Sequence, residues 1–281
     1  MKKLIWYFLP FFSVFPCFAQ EQENSPINLV YQSTMLGVGS TSVYDTYLSP
    51  IMEYTGTIID LSHEQIKMTG LMNGNVSAQH LFNLDFSWSN NRPGTASNYT
   101  TFIEYSYGLH YRFKPTTKLQ LFVGPLADGM IGVIYNSRNG NNPATGKAHF
   151  NLHLSGIATY GFRINSQPVN IRYQMNFPFA GVMFSPHYGQ SYYEISLGDS
   201  DNLAHFASFH NQTSMRNTLS VELPFNFMTL RLAYMNSIYE TDINDLQTRI
   251  HSNSILIGFS KNFFSVPGKK SLKNNYKRVF E

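Results

Sequence analysis

The sequence predicts an all-β chain that closes into a transmembrane, antiparallel, up-and-down β-barrel of about ten strands, or twelve on an alternative count. Three observations carry that reading. From Thr101 to Phe113 the chain alternates with almost no error: Ile103, Tyr105, Tyr107, Leu109, Tyr111 and Phe113 fall on one face, Glu104, Ser106, Gly108, His110 and Arg112 on the other. A period of two with aromatics on one side and charges on the other describes a strand facing two different solvents. Composition agrees, because charged residues make up 13% of the chain and aromatics 15%, whereas soluble domains carry roughly 25% charge. Mean hydropathy is nonetheless slightly negative, and no long apolar run follows residue 19, as spanning helices would require. Finally, short links alternate with long ones, the asymmetry of an outer-membrane barrel with its short turns in the periplasm.

Each strand rests on the same alternation. His149, Asn151, His153, Ser155, Thr159 and Arg163 oppose Phe150, Leu152, Leu154, Ala158, Tyr160, Phe162 and Ile164. Val169, Ile171, Tyr173, Met175 and Phe177 oppose Asn170, Arg172, Gln174 and Asn176; Leu219, Val221 and Leu223 oppose Ser220 and Glu222. Leu119, Leu121 and Val123 oppose Lys118 and Gln120, and Leu230, Leu232 and Tyr234 flank Arg231. Tight turns are expected at Asn73-Gly74, 114–117, 165–168 and 224–226, and longer polar links at about 89–100, 137–147, 185–205 and 240–249. The strands then fall at roughly 28–40, 55–71, 75–88, 101–114, 117–136, 147–164, 168–184, 206–224, 227–240 and 249–264. A count of twelve follows if Tyr192 to Leu197 pairs separately, since single-chain barrels take even numbers. The alternation breaks between Asp60 and Lys67, and Gly124-Pro125 interrupts a strand-like stretch where a bulge or bend is expected.

The ends of the chain read differently. Lys2 and Lys3, an apolar stretch from Leu4 to Phe15, and Cys17-Phe18-Ala19 have the form of an export signal over 1–19, cleaved after Ala19. The barrel is expected over 20–264, and 265–281 forms a basic periplasmic tail with Lys269, Lys270, Lys273, Lys277 and Arg278. Pro16 argues against lipidation of Cys17, the sole cysteine, so the mature chain has no disulfide and no thiolate metal site. Removing Lys2 and Lys3 from 20 basic residues leaves 18 against 17 acidic ones, a balance that points to no nucleic acid. The expected location is the outer membrane. The expected partners are its lipid, the barrel-assembly machinery during biogenesis, and a small ligand the sequence does not identify.

Three stretches resemble a known family: Asn139 to Ala144, Phe184-Ser185-Pro186-His187-Tyr188-Gly189-Gln190-Ser191-Tyr192-Tyr193-Glu194, and His210-Asn211-Gln212. The segment Tyr44 to Pro50 is similar too. The family is the uncharacterised outer-membrane barrel family of gut-type Bacteroidota, a domain of unknown function. The resemblance spans nearly the whole mature chain and implies a fold and a location, with no reaction, cofactor or ligand attached.

For a ligand-binding or gating site the candidates are His187, Tyr188, Tyr192, Tyr193 and Glu194 beside a long extracellular loop, with His210 and Asn211. Tyrosines offer flat apolar faces with a hydroxyl, suited to sugars, lipids or peptides; the plainer reading is an aromatic girdle with a loop folded into the lumen. Glu104, His110, Arg112, His149, His153, Arg163, Arg172, Glu222 and Arg231 should face inward, interlocking across the lumen or lining a narrow aqueous path. His149 and His153 stand about 13 Å apart along one strand, too far to share a metal bound at about 2 Å. No cofactor or metal site is expected; Asp199 to Asn202 lacks the glycine and closing glutamate of a Ca²⁺ loop, and no glycine-rich phosphate loop is present.

The leading functional expectation is a non-enzymatic, porin-like barrel, either a narrow pore or a binder of small envelope ligands. Two alternatives stand beside it. One is a lipid hydrolase using His210 and Ser214, which sit about 13 Å apart on a strand and need a local turn to meet. The other is a secreted β-sandwich or lipocalin-like binder with the aromatics inside. Mutation separates the faces: Leu154→Arg on the lipid side should be far more costly than Asn151→Arg on the lumen side.

Overall fold

A computed structural model describes residues 27–49, 53–165, 167–198, 202–225, 228–264 and 276–277. The expected signal segment, its cleavage point and nearly all of the basic tail lie outside the described residues, as do residues 199–201 of the Ca²⁺-loop fragment. In chain order the elements are β1 (Ile27–Asp45), β2 (Tyr54–Met68), a short 3₁₀ turn (Leu71–Gly74), β3 (Val76–Asn90), β4 (Ser97–Phe113), β5 (Leu119–Asn136), β6 (Ala144–Ile164) and β7 (Gln167–Phe184). There follow α1 (Tyr192–Ser196), β8 (Ala204–Ala207), β9 (Gln212–Pro224), β10 (Thr229–Ile243), β11 (Leu246–Phe264) and β12 (Tyr276–Lys277).

Ten strands, β1 to β7 and β9 to β11, form the wall, and β11 closes it against β1 from Leu29↔Phe264 to Asp45↔Thr248. Closure removes the sheet edges, whose unpaired backbone groups lipid cannot satisfy. The short β8 extends the wall above β9 by pairing with Gly181–Phe184 of β7, and β12 adds two residues parallel to Ile27–Asn28.

The register fixes the tilt. Paired residues lead around the wall from Val76 through Tyr111, Val123, Gly156, Met175, Asn217, Asn236, Asn253, Ser40 and Thr57 to Trp88. One circuit therefore returns to β3 twelve residues nearer its C-terminal end. With strands about 4.8 Å apart and a rise of about 3.3 Å per residue, that stagger tilts the strands by about 40°.

Inside and outside separate cleanly. Tyr105, Leu154 and Leu232 point outward and are 50%, 57% and 40% exposed, whereas Arg231 and Ser106 are buried in the interior. Aromatics therefore face away from the centre, opposite to a soluble lipocalin-like binder, and the apolar exterior is that of a barrel in lipid. The break between Asp60 and Lys67 is not a break in β2. Tyr54, Ile58, Asp60, Glu64, Ile66 and Met68 all point inward, so apolar and acidic groups share one face and the pattern blurs.

Three local expectations need correction. Tyr192 to Ser196 is a single helical turn, so the wall has ten strands, not twelve. Its Ser191 and Glu194 cap each other, a helix-start signature that outweighs the tyrosines' preference for strands. The stretch 240–249 is no loop: β10 and β11 run through it and meet at Asn244-Asp245, with φ of 55° and 60°. Such positive φ values are the demand of a type I′ hairpin, which Asn and Asp meet. Gly124-Pro125 makes no bulge, since the β4–β5 ladder keeps one register and merely skips Leu109 and His110, where proline lacks a donor. The bulge lies instead in β7, where Phe179 is skipped between Pro178↔His153 and Ala180↔Leu152.

Candidate functional site: a filled lumen and its lid

The interior is layered. Tyr31, Ile66, Met68, Phe122 and Ile157 form an apolar cluster at the short-turn end. Val43, Leu48, Phe102, Met130, Ile134, Tyr239 and Ile250 form a second beneath the mouth at the long-loop end. Ionic groups sit between them. Glu64 accepts from Arg172 at 2.5 and 2.8 Å, from Arg231 at 2.6 Å and from Gln79 at 2.5 Å. Arg231 also lies 3.8 Å from Glu222, which accepts from the Tyr31 hydroxyl. Higher up, Arg216 meets Asp85 and Glu104, both at 3.0 Å. Asp128 gathers His149 at 2.9 Å and His153 at 4.0 Å, so side chains far apart along β6 converge on one carboxylate of β5. Charges removed from water need such partners, because each costs several kcal/mol to bury alone, of order 20 in the idealised limit.

Among the expected lumen charges, His110, Arg112, His149, His153, Arg172, Glu222 and Arg231 are buried inside and Glu104 is largely so. Arg112 reaches back to the β2–β3 turn, 3.4 Å from the Asn75 side-chain oxygen. Arg163 is a correction. It has the inward parity but sits one residue from the end of β6, below the packed interior, and is exposed. Glu64, Asp85, Asp128 and Arg216 complete the networks and were not singled out from the sequence. Strand parity with Glu222 would have found Arg216, and parity with Gln120 would have found Asp128. Among the described residues, the interior holds a cavity of about 40 Å³ lined by Asp85, Glu104, His149, Ser214, Arg216 and Tyr239, among others, and a smaller one of about 10 Å³ beside Asp128 and His153, room for a few waters.

Over the mouth lies residues 185–198. Tyr192 is the peg: its hydroxyl accepts from the Gly146 amide and lies 3.3 Å from the Thr145 hydroxyl at the start of β6. Its ring meets Tyr47 edge-on at 5.9 Å, and the Tyr47 hydroxyl donates to the Gln190 carbonyl at 2.9 Å. Burial, with the neighbouring Tyr192, Asp45 and Glu194, pushes the Tyr47 phenol up to about 12; burial also raises Tyr192. Both hydroxyls therefore stay protonated, Tyr47 donating to Gln190 and Tyr192 to the Gly146 carbonyl at 3.4 Å. On the far side, Asn244 of the β10–β11 turn donates to the Ser185 and Pro186 carbonyls at 3.4 and 3.3 Å. Beneath, Asp45 accepts from Lys147 at 2.7 Å and from Thr248 at 2.8 Å, tying three strands at the rim.

The sequence candidates thus divide. Tyr192 and Glu194 hold the lid together; Glu194 accepts from the Ser191 amide at 2.7 Å, which keeps its carboxyl below the usual range. His187 is half-buried, while Tyr188 and Tyr193 stand free above the lid, 64% and 71% exposed. His210 and Asn211 lie outside this cluster, in the turn between β8 and β9. There the Ser208 hydroxyl is 2.6 Å from His210 Nδ1, and Asn211 accepts from the Ser208 amide at 3.0 Å. His210 is exposed and stacks on Phe206 at 6.4 Å, whereas Ser214 lines the internal cavity. The structure does not bring His210 and Ser214 together. Among the described residues no group of three or more His, Cys, Asp or Glu is placed to hold a metal ion.

Solved structures similar to the chain include the outer membrane protease OmpT from Escherichia coli, with 8% identity and a TM-score of 0.45 over 85% of this chain and 97% of that one. The transport unit of the autotransporter AIDA-I from Escherichia coli gives 8% identity and 0.45 over 90% and 94%. The COG4313 outer membrane channel from Pseudomonas putida F1 gives 11% identity and 0.37 over 89% and 100%. The curated proteins contain no match. The family model described as "Protein of unknown function (DUF3316)" matches residues 4–270, almost the whole length, and the chain belongs to that family.

Proposed function

We propose that this chain is an outer-membrane barrel of the Bacteroidota type with a closed lumen, exported by its N-terminal signal, and that it acts without catalysis as a binder of a small envelope ligand at its extracellular lid. The observation that supports this over a standing pore is the filled interior, where Glu64, Arg172, Arg231 and Arg216 are buried in cross-barrel ion pairs and the cavities beside them measure about 40 and 10 Å³. A hydrated ion or solute would have to break those pairs. The lid, by contrast, offers His187, Tyr188 and Tyr193 on a backbone held from both sides. Flat rings with a hydroxyl suit a saccharide or a short peptide.

Cell fractionation, planar bilayers and an array of envelope glycans and muropeptides test the reading together. The protein should fractionate with the outer membrane, show no steady conductance, and bind an array component that the Tyr188→Ala/Tyr193→Ala double variant loses. Steady conductance steps in the unmodified protein would restore the narrow pore. Undiminished binding by the double variant would remove the lid from the site.

A further inference from the structure

The outer wall of a membrane barrel should be apolar throughout the acyl-chain zone. One sector of this wall is not. Asn217 of β9, Asn236 of β10 and Asn253 of β11 pair in register, and Ser40 of β1 continues the row. All four carry the outward parity of Leu219, Leu232, Ile255 and Leu36. They are linked side chain to side chain: Tyr173 donates to Asn217 at 3.2 Å, Asn217 to Asn236 at 3.4 Å and Asn236 to Asn253 at 3.0 Å, while Tyr234 also donates to Asn253 at 2.6 Å.

The register gives the height of this row. Each step around the tilted wall climbs about 3 Å, and Val76 at the periplasmic end of β3 lies five steps below Asn217. The asparagines therefore sit about 15–20 Å above that end, inside an apolar band about 25 Å tall. At the same height across the barrel β6 presents Phe150, Leu152 and Leu154 to the outside, all exposed. Amides facing hydrocarbon are costly, so one wall is built for lipid and the other for something polar.

Two features say what covers it. Above the asparagines the same wall carries both signs of charge, Glu240 and Asp242 on β10 with Arg249 and His251 on β11; Glu240 and His251 pair within the chain at 2.8 Å, while Asp242 and Arg249 each bond to Gln247. Under a two-fold axis Asp242 of one copy can meet Arg249 of the other. An anionic lipid headgroup would call for bases alone. Below the row on the same face, Thr34, Leu36, Leu61, His63, Ile257 and Phe259 help to line an open groove of about 580 Å³ on β1, β2 and β11, able to receive side chains from a facing wall.

We propose that the β9–β10–β11–β1 face is a dimer interface, with a second copy of this chain placing its own asparagine row against Asn217, Asn236 and Asn253 within the membrane. Amides meeting amides in hydrocarbon exchange donors for acceptors with no water to compete. Single cysteines at 217, 236 and 253 in a Cys17→Ser background, oxidised in isolated outer membranes, test this. Asn236→Cys or a neighbour in the row should give a disulfide-linked pair, and Leu152→Cys on the opposite wall should not. The Asn236→Leu/Asn253→Leu variant should remain folded, retaining its heat-dependent shift in gel mobility. Its mass in mild detergent should fall from two copies to one. No cross-link at any of the three positions, or equal cross-linking at 152, would overturn the proposal. So would a double variant that stays folded and dimeric.

Discussion

The lumen and the lid are held by opposite kinds of contact. In the lumen, partners come from across the barrel: Glu64 and Arg231 are 167 residues apart and meet only because the sheet closes. In the lid, Ser191 and Glu194, three residues apart, cap a single helical turn, and the rest of the grip is the hydroxyls of Tyr192 and Tyr47 and the Asn244 amide on a few backbone groups. Buried ion pairs in a closed wall give way together with the wall, whereas a segment held by a handful of hydrogen bonds can open alone. The difference marks the interior as scaffold and the loop as the part that can respond to a ligand.

The most damaging change should be Glu64→Ala. It leaves Arg172 and Arg231 buried without their shared carboxylate, a loss of about 3–5 kcal/mol, read as a lower urea midpoint for the refolded barrel. If the midpoint barely moves, water reaches this layer and the closed-lumen reading weakens. Leu154→Arg, facing acyl chains at mid-wall, should cost about 2–4 kcal/mol. Asn151→Arg is not the mild change the sequence suggests. Asn151 is 1% exposed, and even a Cβ on Gly181 would meet it at 2.1 Å, so overpacking should cost about 1–3 kcal/mol. Comparing the two urea midpoints separates lipid cost from packing cost.

The lid should respond locally. Tyr192→Phe removes the hydroxyl that binds Gly146, a loss of about 0.5–1.5 kcal/mol. Amides 191–197 should exchange faster with solvent while the urea midpoint of the whole barrel stays put. A matching fall in global stability would mean that lid and lumen unfold as one unit. The smallest effect is on pH. Hydrogen bonds hold the Glu194 carboxyl below its ordinary value, so the capping contribution is complete above the unfolded value of about 4.3 and fades as the pH falls through the lower folded value. Protection factors at 191–197, corrected for the intrinsic pH dependence of amide exchange, should therefore fall in acid, and Glu194→Gln, a neutral capping partner, should flatten that dependence.

What was legible in the chain and what was not follows from range. Alternation is a property of a strand and its two surroundings, so Tyr105, Leu154 and Leu232 announced an apolar exterior, and ten strands in order followed from it. The polar run 240–249 misled because β10 and β11 project past the apolar band, where outward residues turn polar while the strand continues. In β2 the inward face mixes Ile58 and Ile66 with Asp60 and Glu64, since the lumen is packed in layers and each strand passes through all of them. Periodicity along one strand carries no record of such layering.

By itself, then, the sequence determined the period, the strand order and the side of the wall on which each residue stands, because these depend on neighbours two positions away. Only the tertiary structure decided that Glu64 meets Arg172 and Arg231, that Tyr192 pegs a lid on Gly146, and that three asparagines line up on one wall. Those meetings depend on the twelve-residue stagger with which the sheet closes, a sum over every strand pairing that no single stretch of chain contains.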